Sequence, residues 1–146
     1  MPGIIVGFDG SDHSRRALEW AIREAAARRA PLTVLTVSQA VAGYWGAPVA
    51  YPGDQDLTSQ ARELAQKETD SALEQAGPGS RPPSVTVQAV TDLPAEALLQ
   101  AAAGADMLVV GSRGAGGFKR LLLGSVSTQV THHARCPVVV IPDENI

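Results

Sequence analysis

The sequence predicts an open parallel α/β sheet with helices on both faces, and three observations predict it. Short β-branched runs alternate with amphipathic stretches along the 146 residues. The first run, Ile4-Ile5-Val6-Gly7-Phe8, is apolar at nearly every position, as in strands covered on both sides. Aromatic residues make up 4% of a chain that is 45% hydrophobic, so the core is built of Val, Ile, Leu and Ala, which suits sheet-and-helix layers.

Each element follows in order. After 4–8 the chain is broken by Asp9-Gly10-Ser11-Asp12. A helix then runs from about Ser14 to Arg29. Ala17, Leu18, Ala21, Ile22 and Ala25 recur at helical spacing, and Ser11, Asp12 and Ser14 all suit an N-cap. Leu32 to Val37 is the second strand. The stretch 38–56 is irregular; loops of this length are often lids, binding loops or disordered, and its Tyr44, Trp45 and Tyr51 fit a nucleotide cover, a partner contact or local packing alike. A second helix spans about Leu57 to Ala76, with Leu57, Ala61, Leu64, Ala65, Ala72 and Leu73 expected inside. Gly77 to Pro83 stops it.

Ser84 to Val90 is the third strand, and Pro94 suits the first position of a helix running to Ala103. Asp106 to Gly111 is the fourth strand, 125–134 the fourth helix and Val138 to Ile141 the last strand. The order β-α-β-α-β-α-β-α-β implies five parallel strands in the Rossmann-like order 3-2-1-4-5, with right-handed crossovers. Ligands of such sheets bind beyond the carboxyl ends of the strands, where strand order reverses. The turn after the first strand and the loop after the fourth are expected there as neighbours.

Length suits a single domain covering 1–146. The net charge of -3, from 12 basic and 15 acidic residues, gives no basic stripe for nucleic acid. Cys136 is the only cysteine, which excludes an internal disulfide and fits a reducing compartment. There is no signal-peptide pattern at the start and no apolar run of the ~18 residues that a membrane span needs. The expectation is a cytoplasmic protein.

Chemistry concentrates between Gly111 and Ser127. Gly111 and Gly114 permit close backbone approach and positive φ. Gly124-Ser125 opens a helix whose free N–H groups and dipole favour an anion. Ser125 and Ser127 add hydroxyls, and Arg113, Lys119 and Arg120 add charge. A strand-to-helix turn rich in glycine is the plain alternative, but the place at a strand's carboxyl end favours phosphate. A P-loop fails because no lysine follows Gly116, and a dinucleotide fingerprint from Gly114 fails at Lys119.

The spacing Gly111-x2-Gly114-x9-Gly124-Ser125 resembles the ATP-binding signature of the universal stress protein family. The flanks 105–114 and 119–127, the start Ile5 to Ser11 and the end Cys136 to Ile141 are similar too. The resemblance implies that Asp9 lies near the ribose and phosphates, where a metal such as Mg²⁺ is held. It implies that Val37 meets the adenine edge, that Gly111 and Gly114 line the ribose and phosphates, and that Gly124, Ser125 and Val126 start the phosphate-binding helix. Ser127 is expected as a further phosphate contact and Arg113 as part of the cofactor-binding set. The resemblance also implies a homodimer through Val138, Val139, Val140 and Ile141, in line with the tendency of an apolar edge strand to pair. One departure is Asp92-Leu93-Pro94, where the family has Gly-x-Pro. A carboxylate there would cap the helix or repel a phosphate.

Other readings fit less well. A phosphoacceptor Asp9 would need a lysine after the last strand, and a dehalogenase would need aspartate at Ser11. Residues 7–14 lack the Ser-Gly-Gly start of a pyrophosphatase-type loop. His132, His133 and Cys136 offer no fourth zinc ligand, and a histidine near a helix C-terminus suits the dipole. No catalytic base or nucleophile stands out. The expected function is an adenine-nucleotide-binding, ATP-dependent stress sensor or regulator. The alternatives are a member acting through protein contacts alone and a slow ATP-hydrolysing enzyme.

Overall fold

The computed structural model describes residues 3–39, 41–42, 48–49, 54–112 and 124–142. Its elements are β1 (Ile4–Gly7), α1 (Asp12–Arg28), β2 (Leu32–Gln39), β3 (Val41–Ala42), β4 (Pro48–Val49), α2 (Asp54–Ala76), β5 (Val85–Asp92), α3 (Pro94–Ala101), β6 (Met107–Gly111), α4 (Ser125–His133) and β7 (Val138–Ile141). Five strands form one sheet in the order β5-β2-β1-β6-β7. Every pair in it is parallel. This is the expected 3-2-1-4-5 order. The chain builds outward from β1 through β2 to β5, then returns to the other side of β1, so the order reverses between β1 and β6.

The two faces of the sheet have separate cores. Ile4, Val6, Leu32, Val34, Met107 and Val109 pack with Ala17, Leu18, Ala21 and Ile22 of α1 and with Ala65 and Leu73 of α2. Leu35, Leu108 and Val110 pack on the other face with Ala95, Ala97 and Leu98 of α3 and Val130 of α4. Alternate residues of β6 thus serve opposite layers, as the two-residue period of a strand requires. Leu108 and Val109 are both fully buried. A strand covered on both faces must therefore be apolar at successive positions.

Several boundaries differ from the sequence reading. β2 and β5 run to Gln39 and Asp92 because they pair with each other to their ends, Ser38 opposite Thr91 and Gln39 opposite Asp92. The stretch expected to be irregular holds a small antiparallel ladder, Val41 opposite Val49 and Ala42 opposite Pro48. Tyr44, Trp45 and Tyr51 lie outside the described residues. Leu64, expected inside, is 52% exposed. The buried row of α2 is instead Ala65, Thr69 and Leu73, at spacings of four. Thr69 is tolerated there because its hydroxyl donates to the Ala65 carbonyl at 2.6 Å. Helix α2 is followed by a single 3-10 turn at Pro78–Ser80.

Candidate functional site

Two helices begin at the carboxyl ends of the central strands, and they begin differently. Helix α1 starts directly after β1 with Ser11 as its N-cap. The Ser11 Oγ accepts from the Ser14 N–H at 3.2 Å, as a serine cap should. Around it, Asp9 Oδ1 accepts the Ser11 N–H at 2.9 Å and the Ser11 hydroxyl. The Asp9 N–H donates to Ser14 Oγ at 3.2 Å, and the Ser14 hydroxyl donates to the Ser11 carbonyl at 2.9 Å. Asp9, Gly10 and Ser11 thus form an Asx-type turn, with Gly10 at φ +84 where a side chain would be strained. Of the three expected caps, Ser11 is the one used.

Helix α4 starts without a side-chain cap, because its N-cap is Gly124. The Gly124 N–H donates to the Ser112 carbonyl at 2.6 Å. The next three N–H groups, of Ser125, Val126 and Ser127, have no acceptor within the helix by its geometry. Ser125 is exposed and Val126 half-buried at this opening. The dipole of α4 adds a partial positive charge in the same place.

The end of β6 lies against α1. A Cβ on Gly111 would sit 2.8 Å from His13 Cβ and 2.9 Å from the His13 carbonyl carbon. Glycine at 111 is therefore a matter of close approach, not of the positive φ that the sequence suggested: Gly111 belongs to β6 and is not among the residues of positive φ. The contact makes the turn after β1 and the end of β6 neighbours, as expected. Val37 is half-buried on β2, opposite Val90 of β5, one strand away from β1 on the other side.

Asp9, Val37, Gly111, Gly124, Ser125 and Val126 accordingly all lie at the carboxyl end of the sheet. Arg113 and Gly114 lie outside the described residues. Ser127 takes a different part from the one expected. It is 2% exposed, and its hydroxyl is engaged with the Ser112 carbonyl at 2.8 Å and the Gly124 carbonyl at 3.1 Å. Its single proton is used to fasten α4 to β6. Asp92 does not cap α3, whose N-cap is Leu93; its carboxylate accepts the Leu93 N–H at 2.7 Å instead.

Sequence reasoning passed over Ser112, which fills an open position in the glycine spacing. Its N–H donates to the Ile141 carbonyl of β7 at 2.8 Å, and its carbonyl accepts from both Gly124 and Ser127. A surface groove of about 380 Å³ runs along α3 from Glu96 past its end at Ala102 and Ala103 to His133 and Arg135. It meets α4 at His133, the opposite end of that helix from Gly124. His132 and His133 are exposed in the last turn of α4, with ring centroids 6.4 Å apart. Among the described residues no three His, Cys, Asp or Glu converge on a metal position. No described helix is long and apolar enough to cross a membrane.

Parallel α/β sheet, reversal between β1 and β6, and an uncapped helix start beside that reversal define a doubly wound protein with an anion-competent strand end. The universal stress protein family model matches residues 2–142, and the chain belongs to that family. A universal stress protein of Mycobacterium tuberculosis strain H37Rv is 38% identical over 148 residues; the match covers 98% of this chain and 48% of that protein. This chain spans about half the length of such mycobacterial relatives. A universal stress protein of Thermus aquaticus is 36% identical, with 94% of this chain and 96% of the relative covered. Among solved structures, a universal stress protein in complex with cAMP is 27% identical with a TM-score of 0.67, covering 97% of this chain and 96% of that one.

Proposed function

We propose that residues 1–146 form one cytoplasmic, ATP-binding domain of this family that works as a nucleotide-dependent stress sensor or regulator. The observation that carries this reading is the start of α4. A glycine cap leaves the first three N–H groups without an acceptor in the helix or on the cap side chain, and Ser125 is exposed beside them. The opening follows β6 at the reversal of the sheet, where such folds bind ligands. A relative at 27% identity in complex with cAMP supports an adenine nucleotide as the ligand.

In this reading the N–H groups at Ser125 and Val126 bind the phosphates, together with the loop residues Arg113 and Gly114. Gly111 gives the ligand close backbone access. Val37 offers the adenine its backbone edge on β2. Asp9, exposed at the end of β1, faces the ribose and phosphates and would help to hold Mg²⁺. A carboxylate beside a triphosphate needs such a cation, since two anions otherwise repel. The protein acts by binding and not by turnover, and two copies pair through β7. That edge strand is apolar throughout, with Val138, Val139 and Val140 only half-buried.

Calorimetric titration of nucleotide-free protein with ATP and Mg²⁺ tests the reading, with cAMP in parallel. Saturable ATP binding that Gly124→Asp abolishes is the expected result. No binding to folded wild type overturns it, and brisk multiple-turnover hydrolysis would overturn the non-enzyme part. A monomeric mass by light scattering at high concentration would count against the β7 pairing. A second reading, action through protein contacts without nucleotide, draws on Asp92, which puts a carboxylate where the family has glycine.

A further inference from the structure

Ser112 is 3% exposed, and its Oγ is buried without a hydrogen-bond partner. Buried hydroxyls are nearly always paired, because an unmade bond there costs free energy that water would have supplied. An orphan of this kind calls for a group that is absent when the site is empty.

Its place follows from the strand. The parallel ladder between β6 and β7 continues through position 112. The N–H groups of Leu108 and Ser112 donate in turn to the carbonyls of Pro137 and Ile141, at 2.9 and 2.8 Å. Extended backbone alternates its side chains between faces. Met107 and Val109 face α1 and α2, and position 111 faces His13 of α1. Leu108 and Val110 face α3 and α4; the strand ends at Gly111, and the chain bends at Ser112 towards the start of α4. Its own carbonyl is bonded to Gly124 and Ser127 in the first turn of α4. The residue that carries the buried hydroxyl is thus tied through its carbonyl to the start of α4, where the first N–H groups have no acceptor within the helix.

We infer that the Ser112 hydroxyl is the innermost donor of the anion site, bonding a phosphoryl oxygen of the ligand seated at the start of α4. The inference rests on the nucleotide reading above. It exchanges the roles of two serines: Ser127, whose hydroxyl is already used, fastens the helix, and Ser112 completes the ligand's oxygen shell. A hydroxyl donating to a charged oxygen in a buried place is among the stronger hydrogen bonds.

The test compares Ser112→Ala and Ser127→Ala with wild type in two measurements. One is the melting temperature without ligand. The other is the affinity for adenosine, AMP, ATP with Mg²⁺, and inorganic tripolyphosphate. Ser112→Ala removes an unsatisfied polar atom, so its unliganded melting temperature should equal or exceed that of wild type. Its adenosine affinity should be unchanged, while phosphate-bearing ligands weaken about 10- to 100-fold, the worth of a hydrogen bond to a charged group. Ser127→Ala should melt lower. Unchanged affinities in Ser112→Ala overturn the inference and leave the nucleotide reading standing. An equal loss for adenosine and for the phosphates also overturns it, since the position would then act through the fold. If wild type binds neither nucleotide nor tripolyphosphate, the nucleotide reading falls and the inference with it.

Discussion

Helices α1 and α4 both begin at the carboxyl ends of neighbouring strands, yet one start has a serine side-chain cap and the other a glycine cap. At α1 the chain supplies its own acceptors: Ser11 caps, Asp9 holds Ser11, and Ser14 closes the ring of bonds. At α4 the cap is Gly124, which has no side chain to offer. A helix start satisfied by its own side chains contributes to stability and has little left for a ligand. One left unsatisfied gives up that contribution and keeps donors for an anion. The same backbone feature thus serves the fold in one place and, in the proposed function, a ligand in the other.

The largest effect should come from replacing the glycine cap. Gly124→Asp places a capping carboxylate, and a negative charge, where the phosphates would lie. We expect ATP affinity to fall at least about 100-fold, roughly 2.7 kcal/mol, while the melting temperature holds or rises. Calorimetry and thermal unfolding of the same samples read both. Retained affinity would mean that α4 is not the anion site.

Next in size is Gly111→Ala. The added Cβ meets His13 backbone and Cβ atoms at 2.8 to 3.0 Å, so β6 and α1 must move apart. Overpacking of this kind typically costs about 1–3 kcal/mol, measurable by urea unfolding. A neutral result would show that the first turn of α1 yields easily and that β6 and α1 are less tightly joined than they look.

Uncapping α1 should cost less. Ser11→Ala removes the α1 cap and should destabilise by about 1 kcal/mol. It should leave the affinity for inorganic tripolyphosphate unchanged, because Ser11 is spent on α1. A variant that lost affinity without losing stability would reverse the contrast between the two helices.

How much of this was legible in the sequence depends on the kind of signal. The sheet order and the strands were readable because periodicity and apolar runs are local and repeated, as at Ile4 to Phe8. Ser11 was one of three candidate caps, and only the hydrogen bonds decide among neighbours that are chemically alike. Of the expected inner side of α2, Ala65 and Leu73 are buried and Leu64 is not, and the row between them is filled by Thr69, whose polar side chain gives no apolar signal yet buries its hydroxyl on its own helix. The extra residues of β2 and β5 depend on mutual pairing that neither segment shows alone. At the site, glycine spacing located the end of β6 and the start of α4. It could not tell that Gly111 answers to His13, since that contact joins residues 98 positions apart in the chain. Nor could it separate the two serines: Ser112 and Ser127 differ in hydrogen bonding, and sequence carries no direct record of that.

The smallest effect tests whether the contrast is confined to the carboxyl end. Cys136 follows α4 at its other end, just before β7. Burial raises its thiol pKa above the ordinary 9.0, against a smaller opposing pull from backbone hydrogen bonds, with Leu108 the larger contributor. Less thiolate is then present near neutral pH, so alkylation in the folded protein should be slower than in the urea-unfolded chain. The sign for stability follows from proton binding. Above the unfolded pKa the unfolded chain has lost a proton that the folded one keeps, so any contribution is intact below that pH and declines as pH rises through the folded value. Saturating ATP should leave the alkylation rate unchanged, because the proposed nucleotide site lies beyond the far end of α4. Protection of Cys136 by ATP would mean that closing the α4 start tightens the whole helix against β6 and β7, and the difference between the two helix starts would then extend through the α3–α4 layer.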